Sequence, residues 1–339
     1  MTPPEDQPTP PAGSVLAEEA VAPPRASGRD WGRMAVLLLV TAVVFFLLFR
    51  NVSFNSVLEL LKGARPGLLL LGVLITVSFP FLSAWRWKAI MDGLGWRLSA
   101  REAVSLIMAC WPLATFTPSK GSDLAKAYFL RRRMPVSIVL GSVPAERLLD
   151  VLTLLAFCFV GALKFGWHTL AIASGVLLAA GILGSAALLT LRLPIPNKLR
   201  PKVERMLGAL RLLLRRPTLL LWVLVLTVAN WLASVLQTWI FYFALRDAVP
   251  FVSVLAALPA AIFVGLLPIT LMGMGTRDAA LIRLLAVHAA APVSLGVGLL
   301  YSLCGYWLPG LFGLPFLRLA LRRRTDGVAG DSPGATGGA

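Results

Sequence analysis

Several stretches of the chain lack charged residues over lengths close to or above the ~20 residues that a helix needs to cross a lipid bilayer. Two of them are Trp167–Leu191 and Pro217–Leu245. Of the 339 residues, 58% are apolar and only 14% are charged, whereas a soluble domain carries about 25% charged residues. The sequence therefore predicts an all-α polytopic membrane protein and excludes a soluble globular fold, a disordered protein and a disulfide scaffold.

The apolar runs predict about six full spans and two re-entrant helical hairpins, which together contain eight apolar helices. The spans are predicted at 34–49, 67–85, 135–163, 167–191, 217–245 and 292–317. Each hairpin joins an apolar arm to a polar arm, at 103–133 and at 251–290. Backbone that leaves the helix at membrane depth is tolerated only beside protein or a watery cavity. The predicted breaks therefore mark an interior position, and they lie at Pro118, Gly121, Pro268, Gly273 and Gly275.

A single membrane domain is predicted at 31–325, between disordered tails at 1–30 and 326–339. The first tail is rich in proline and the last is rich in glycine, and neither shows a periodic apolar pattern. The connector at 197–216 has leucines at helical spacing and basic residues at other positions. This pattern is typical of an amphipathic helix on an anionic membrane surface, and a solvated connector helix is the alternative.

The net charge of +16 is explained by topology. Positive residues gather in cytoplasmic loops of membrane proteins, and 24 of the 32 Lys and Arg residues fall on one side if the N-terminus is cytoplasmic. The count predicts that both termini lie in the cytoplasm, and we expect the protein in the cell inner membrane. The same distribution predicts that the basic cytoplasmic loops have anionic lipids, and no nucleic acid, as partners.

The order of the predicted elements indicates an inverted repeat. Each half, at about 31–165 and 166–320, reads span, span, hairpin, span, and the halves begin on opposite sides of the membrane. Transporters often place a substrate site where such repeats meet at the midplane. The sequence therefore predicts a site between the two hairpins.

Charges at membrane depth cost at least ~2.5 kcal/mol each and need partners or a wet cavity. Glu146 and Asp150 share one helix face at the spacing i, i+4. In one interpretation these charges neutralise one another and fasten the hairpins to the spans. In the other, the cations hold a lipid phosphate, to which arginine presents a planar fork. Proton relay by Glu146 or Asp150 is a further alternative. The candidate head-group residues are Lys126, Arg147, Arg277, Asp123, Glu146, Asp150 and Asp278.

The sequence contains no motif that is typical of a soluble enzyme. The three cysteines form no CxxC pair and the two histidines are far apart, so the sequence predicts no metal site, no cofactor and no catalytic residue.

Three segments together resemble the lysylphosphatidylglycerol synthase transmembrane-region family. They are Pro118–Lys126, the E-R-x-x-D element Glu146–Asp150, and Pro268–Asp278. The family usually has Arg at the place of Lys126, Glu at the places of Asp123 and Asp278, and Gly at the place of Met272. Lys126 keeps the charge but loses the bidentate geometry of arginine.

The resemblance implies a flippase-like domain, present here without the soluble aminoacyl-transferase domain of the bifunctional synthase. We therefore expect a lipid flippase or transporter that moves a phospholipid or polyprenyl-type lipid between leaflets, and not an enzyme. The alternatives are a membrane-embedded transferase and an accessory subunit in lipid or glycolipid synthesis, such as hopanoid or aminoacyl-lipid synthesis. A lipid-synthesis enzyme and a second copy of the chain are expected as possible partners.

Overall fold

The computed structural model describes residues 28–116, 121–131, 133–190, 200–267 and 269–329. Fourteen α-helices form this part of the chain, joined by short connections and without a β-strand. The helices are α1 (Gly28–Asn51), α2 (Phe54–Lys62), α3 (Pro66–Thr76), α4 (Ser78–Gly93), α5 (Ala100–Phe116), α6 (Gly121–Leu130), α7 (Val136–Phe165), α8 (His168–Thr190), α9 (Arg200–Arg215), α10 (Pro217–Ala244), α11 (Phe251–Gly265), α12 (Thr276–Leu284), α13 (Ala291–Ser302) and α14 (Leu308–Ala329). The prediction of an all-α polytopic membrane protein is confirmed.

Five helical segments are long and apolar enough to cross a membrane. They are Pro66–Gly93, Val136–Phe165, His168–Ala187, Pro217–Ala244 and Ala291–Leu321. A sixth is reached if the helices on either side of an 81° bend, Leu38–Arg50 and Phe54–Lys62, count as one span. The predicted disordered tails at 1–30 and 326–339 lie outside the described residues except at their inner ends, where residues 28–30 belong to α1 and residues 326–329 belong to α14.

Both predicted hairpins contain two helices that pack together. The apolar arm α5 contacts α6, and the apolar arm α11 contacts α12. The first break includes Pro118 and the second includes Pro268, and both prolines lie outside the described residues. Gly121 begins α6.

The hairpin arms pack reciprocally across the bundle. The arm α5 lies against α14, and the arm α11 lies against α7. Both close approaches require glycine. A Cβ atom at Gly161 would lie 2.6 Å from the Cβ of Ala256, and a Cβ atom at Gly313 would lie 2.3 Å from the carbonyl oxygen of Met108. Small residues at such contacts let membrane helices approach closely. The inverted repeat itself stays a prediction.

The helix α9 does not use its apolar stripe to lie in lipid. Its residues Ala209, Leu210 and Leu213 are buried in an apolar cluster with Ile90 and Leu149, and α9 packs against α4, α7 and α10. The interpretation of 197–216 as a surface-bound amphipathic helix is therefore wrong for its apolar face. The stripe is satisfied by protein contacts because three spans converge beside it.

Candidate functional site

The long helix α7 places two carboxylates inside the bundle. Glu146 and Asp150 lie one turn apart on the same face, and they are only 5% and 6% exposed. At 1.5 Å of rise per residue, Glu146 lies about 15 Å from the first residue of α7. The pair therefore lies more than two turns inside a helix that is long and apolar enough to cross a membrane, and a charge that enters a bilayer core without a partner is costly.

Arg86 on α4 bridges the two carboxylates. Its Nη1 donates to Oδ1 of Asp150 at 2.5 Å, and its Nε lies 3.6 Å from Oε1 of Glu146. Arg86 is 8% exposed. These contacts join residues 64 positions apart in the chain, so they fix α4 against α7.

The first hairpin contributes Lys126 to the same cluster. Its Nζ donates to Oε2 of Glu146 at 3.3 Å and lies 5.4 Å from the centre of the Trp87 ring. The Trp87 indole in turn donates to Oγ of Ser142 at 3.3 Å. The polar arm of the hairpin is thus tied to α7 by an ion pair, and to α4 by a cation–π contact.

A fourth helix reaches the cluster through Trp231 of α10, whose indole N–H donates to Oδ1 of Asp150 at 2.9 Å. Asp150 therefore accepts from Arg86 and from Trp231 at one oxygen. We call the set Arg86, Lys126, Glu146, Asp150 and Trp231 the bridged cluster. Its two cations and two anions balance, while Nε of Arg86 has no hydrogen-bond partner.

A second buried ion pair opens α12. Nε and Nη2 of Arg277 donate to Oδ1 of Asp278 at 3.2 and 2.9 Å, and Oδ2 of Asp278 accepts the N–H of Gly275 at 3.0 Å. Gly275 has a φ of 88°, which glycine adopts without steric cost. The glycine turn therefore places both charges at the N-terminus of the helix.

The last span encloses the Arg277 guanidinium. Its Nη2 also donates to Oγ of Ser302 at 2.6 Å and to the carbonyl of Gly298 at 3.2 Å. The Tyr301 and Tyr306 rings lie 4.4 and 5.9 Å from its central carbon. A π-helical turn at Leu303–Trp307 follows Ser302, and such turns are frequent at functional sites.

Arg277 keeps one donor without a partner. The residue is 1% exposed, and its Nη1 is buried without a hydrogen bond. An unsatisfied buried donor costs about 1–3 kcal/mol. We call Arg277, Asp278, Tyr301 and Ser302 the hairpin cluster.

The helix α10 connects the two clusters. Trp231 contacts Asp150, and Ser234, three residues later, donates to the Tyr301 hydroxyl at 3.3 Å. Residues three apart on a helix have Cβ atoms about 5–6 Å apart. Both clusters therefore lie at the same level of α10, about 21–26 Å from its first residue.

The structure brings most of the predicted charges into these clusters and leaves Arg147 outside. The Arg147 side chain is 61% exposed and lies 3.8 Å from Asp150. Asp123 belongs to α6, and its side chain lies outside the described residues. Gly273 and Gly275 both have positive φ values, 71° and 88°, and lie in the connection between α11 and α12.

Sequence reasoning missed Arg86 and Trp231. The predicted span at 67–85 ends before Arg86, yet α4 continues to Gly93, so Arg86 lies about 10 Å inside the end of the helix. The apolar residues Ala89–Met91 are a usable signal that the helix continues beyond residue 85. Trp231 gave none, since tryptophan within a span is common at interfaces and in cores.

Comparisons with known proteins agree with this architecture. The family model described as "Lysylphosphatidylglycerol synthase TM region" matches residues 34–313. A UPF0104 membrane protein of Methanocaldococcus jannaschii is 20% identical over 326 residues, which cover 87% of this chain and 96% of that relative. A second UPF0104 membrane protein, from Pyrococcus horikoshii, is 24% identical over 320 residues, which cover 83% of this chain and 94% of the relative.

Proposed function

Because the chain belongs to the lysylphosphatidylglycerol synthase transmembrane-region family, we propose that it is a flippase or transporter that moves an amphiphilic lipid between leaflets. The protein is an integral, multi-pass membrane protein. The observation that carries the proposal is the Arg277 guanidinium, which is buried at the second hairpin with one N–H group unsatisfied. A donor of this kind suits a phosphate oxygen.

In the proposed mechanism, a lipid phosphate accepts hydrogen bonds from the buried arginine N–H groups that have no partner in the described part of the protein. A lipid phosphate that reaches the hairpin cluster accepts from Nη1 of Arg277 while Nη2 and Nε stay on Asp278 and Ser302. The bridged cluster offers Nε of Arg86 in the same way. Because α10 places the two clusters at one level, a head group passes from one to the other without leaving the polar interior, and its acyl chains remain in lipid.

The neutral balance of each cluster favours passage over tight retention. Arg277 is offset by Asp278, and the cations of the bridged cluster are offset by Glu146 and Asp150. An anionic head group therefore gains hydrogen bonds but meets no large net positive charge, so it can leave. We propose that anionic lipids enter between the two clusters from the cytoplasmic leaflet, where the basic residues on the cytoplasmic side of the protein attract them.

The transferase alternative requires a carboxylate that is open to act as a base. Asp150 already accepts two hydrogen bonds at Oδ1, and Glu146 faces two cations. A general base needs a free lone pair within reach of its proton; these contacts occupy Oδ1 of Asp150 but not its Oδ2, which lies 3.8 Å from Nη1 of Arg147, so the transferase stays the second candidate. An accessory role beside a lipid-synthesis enzyme stays an alternative that stoichiometric co-purification would support.

The test is reconstitution in liposomes that carry a fluorescent phospholipid in both leaflets. A membrane-impermeant reductant quenches the outer leaflet only, and an active flippase exposes the inner pool as well. We expect activity for the wild type, a loss of at least about tenfold for Arg277→Gln, and activity within about twofold of wild type for Arg283→Gln, an exposed arginine of the same helix. The absence of translocation across anionic, zwitterionic and polyprenyl phosphate lipids would refute the proposal.

A further inference from the structure

A cleft opens at the end of the bundle where α2 and α10 end and α13 begins. It holds about 630 Å³, and its lining includes Glu59, Leu60, Leu245, Arg246, Asp247 and Val293. None of these residues belongs to the bridged cluster or the hairpin cluster. The charge count predicts that this end faces away from the cytoplasm.

Aromatic side chains next to the cleft indicate the level of the lipid head groups. The Trp239 ring stacks edge-to-face on Phe243 and Phe251, at centroid distances of 4.7 and 5.7 Å. Its indole N–H donates to the carbonyl of Val249 at 3.0 Å. Tryptophan and other aromatic rings gather at the membrane–water interface, so the cleft lies where lipid head groups are.

The turn after α10 places an arginine where glycine is usual. The N–H of Arg246 donates to the carbonyl of Phe243, and the N–H of Asp247 donates to the carbonyl of Tyr242. These two bonds form the Schellman motif, whose central residue is left-handed and most often glycine. Arg246 has a φ of 64°, a conformation that is unfavourable for a residue with a Cβ atom.

The arginine is held in a fixed position in spite of this strain. Its Nε donates to the carbonyl of Gly63 at 2.9 Å, and the N–H of Arg65 donates to the carbonyl of Ala244 at 2.9 Å. Two cross-connections therefore join the α2–α3 loop to the end of α10. Because Nε is occupied, the terminal guanidinium nitrogens of Arg246 remain for a ligand.

The cleft also carries negative charge in a strongly basic protein. Glu59 is exposed, Asp247 is half-buried, and neither forms an ion pair within the described part of the chain. With Arg246, the lining has two anions and one cation beside an apolar wall of Leu60, Leu245 and Val293. This pattern complements an ammonium group and a phosphate group attached to an acyl chain.

We propose that this cleft binds the head group of a zwitterionic phospholipid of the outer leaflet. Arg246 donates to the phosphate, Glu59 and Asp247 accept from the ammonium group, and the start of an acyl chain lies along the apolar wall. The site is separate from the buried clusters, and its occupancy does not require that lipid crosses the membrane.

The experiment is native mass spectrometry of the purified protein released from nanodiscs that contain equal amounts of phosphatidylethanolamine and phosphatidylglycerol, with thermal unfolding measured on the same samples. The wild type is expected to retain phosphatidylethanolamine preferentially. Arg246→Gly is expected to retain at least about tenfold less, yet to unfold at the same or a higher temperature, because glycine removes the left-handed strain. Lys62→Gln, which removes an exposed charge at the same end outside the cleft, is expected to match the wild type.

A second variant, Glu59→Gln with Asp247→Asn, is expected to lose the preference for phosphatidylethanolamine over phosphatidylglycerol. Unchanged retention by Arg246→Gly, or retention lost together with a lowered unfolding temperature, would overturn the proposal. So would displacement of the lipid by an equal concentration of free O-phosphoethanolamine, since that result would assign the cleft to a soluble ligand. Translocation enters none of these measurements, so failure of this proposal is distinguishable from failure of the flippase proposal.

Discussion

Replacement of Arg86 by methionine tests whether the bridged cluster holds the bundle together. Methionine keeps much of the side-chain volume and removes the charge. The change deprives Asp150 of its 2.5 Å hydrogen bond and leaves Glu146 with Lys126 as its remaining close cation. The cluster then changes from neutral to one net negative charge inside the membrane domain.

The expected cost is large because both carboxylates are nearly fully buried. Breaking a buried ion pair by removing one partner costs about 3–5 kcal/mol. Arg86→Met is therefore expected to lower the free energy of unfolding by about that amount. The double variant Arg86→Met with Asp150→Asn restores neutrality and keeps an oxygen acceptor for Trp231, so a coupling energy of about 1–3 kcal/mol should be recovered.

The measurement is denaturant unfolding in detergent micelles, followed by tryptophan fluorescence and by far-ultraviolet circular dichroism. Two of the ten tryptophans lie at the cluster, since Trp231 belongs to it and Trp87 contacts Lys126, so its disruption contributes to the change in fluorescence. Lys88→Met is the matched control, because its partly exposed i, i+4 pair with Asp92 is worth no more than about 1 kcal/mol. An Arg86→Met protein within about 1 kcal/mol of wild type, or a double variant that shows no recovery, would refute the reasoning.

The other predictions concern single contacts. Trp231→Phe keeps one aromatic ring and removes the indole N–H donated to Asp150, so we expect a loss of about 1.5–3 kcal/mol in unfolding free energy. Trp222→Phe makes the same change on the exposed face of α10 and should be neutral; equal effects would contradict the assignment. Gly298→Ala places a Cβ 2.5 Å from Oδ1 of Asp278, so it should lower both thermal stability and translocation. Gly184→Ala, where no atom lies within 4 Å, should change neither, and a tolerated Gly298→Ala would show that the hairpin cluster is loosely packed.

The membrane architecture was largely predictable because it depends on local properties of the sequence. The absence of charge over about 20 residues defines a span wherever it occurs, and proline or glycine between apolar and polar arms defines a hairpin. The same counting predicted that Glu146, Asp150, Arg277 and Asp278 need partners inside the protein, and all four are buried. Arg277 and Asp278 are neighbours in sequence, so even their pairing could be expected.

The bridged cluster could not be predicted to the same extent, because its contacts join distant parts of the chain. Arg86 pairs with Asp150 across 64 residues, and Trp231 reaches Asp150 across 81 residues. Helical periodicity states which residues share a face but not which helix that face meets. The same limit explains α9, whose apolar stripe fits a membrane surface and a protein groove equally well.

The sequence by itself determined that this chain is an all-α membrane protein and where most of its long apolar helices lie, since both depend on the hydration cost of residues close together in the chain. The tertiary structure decided which of the charged residues are neutralised and by which partners. In the folded bundle Arg86, which follows the predicted end of a span, is buried, and Arg147 is exposed. Those outcomes depend on how closely helices approach, through contacts such as Gly161 on Ala256 and Gly298 on Asp278, and packing of this kind is a property of the folded bundle.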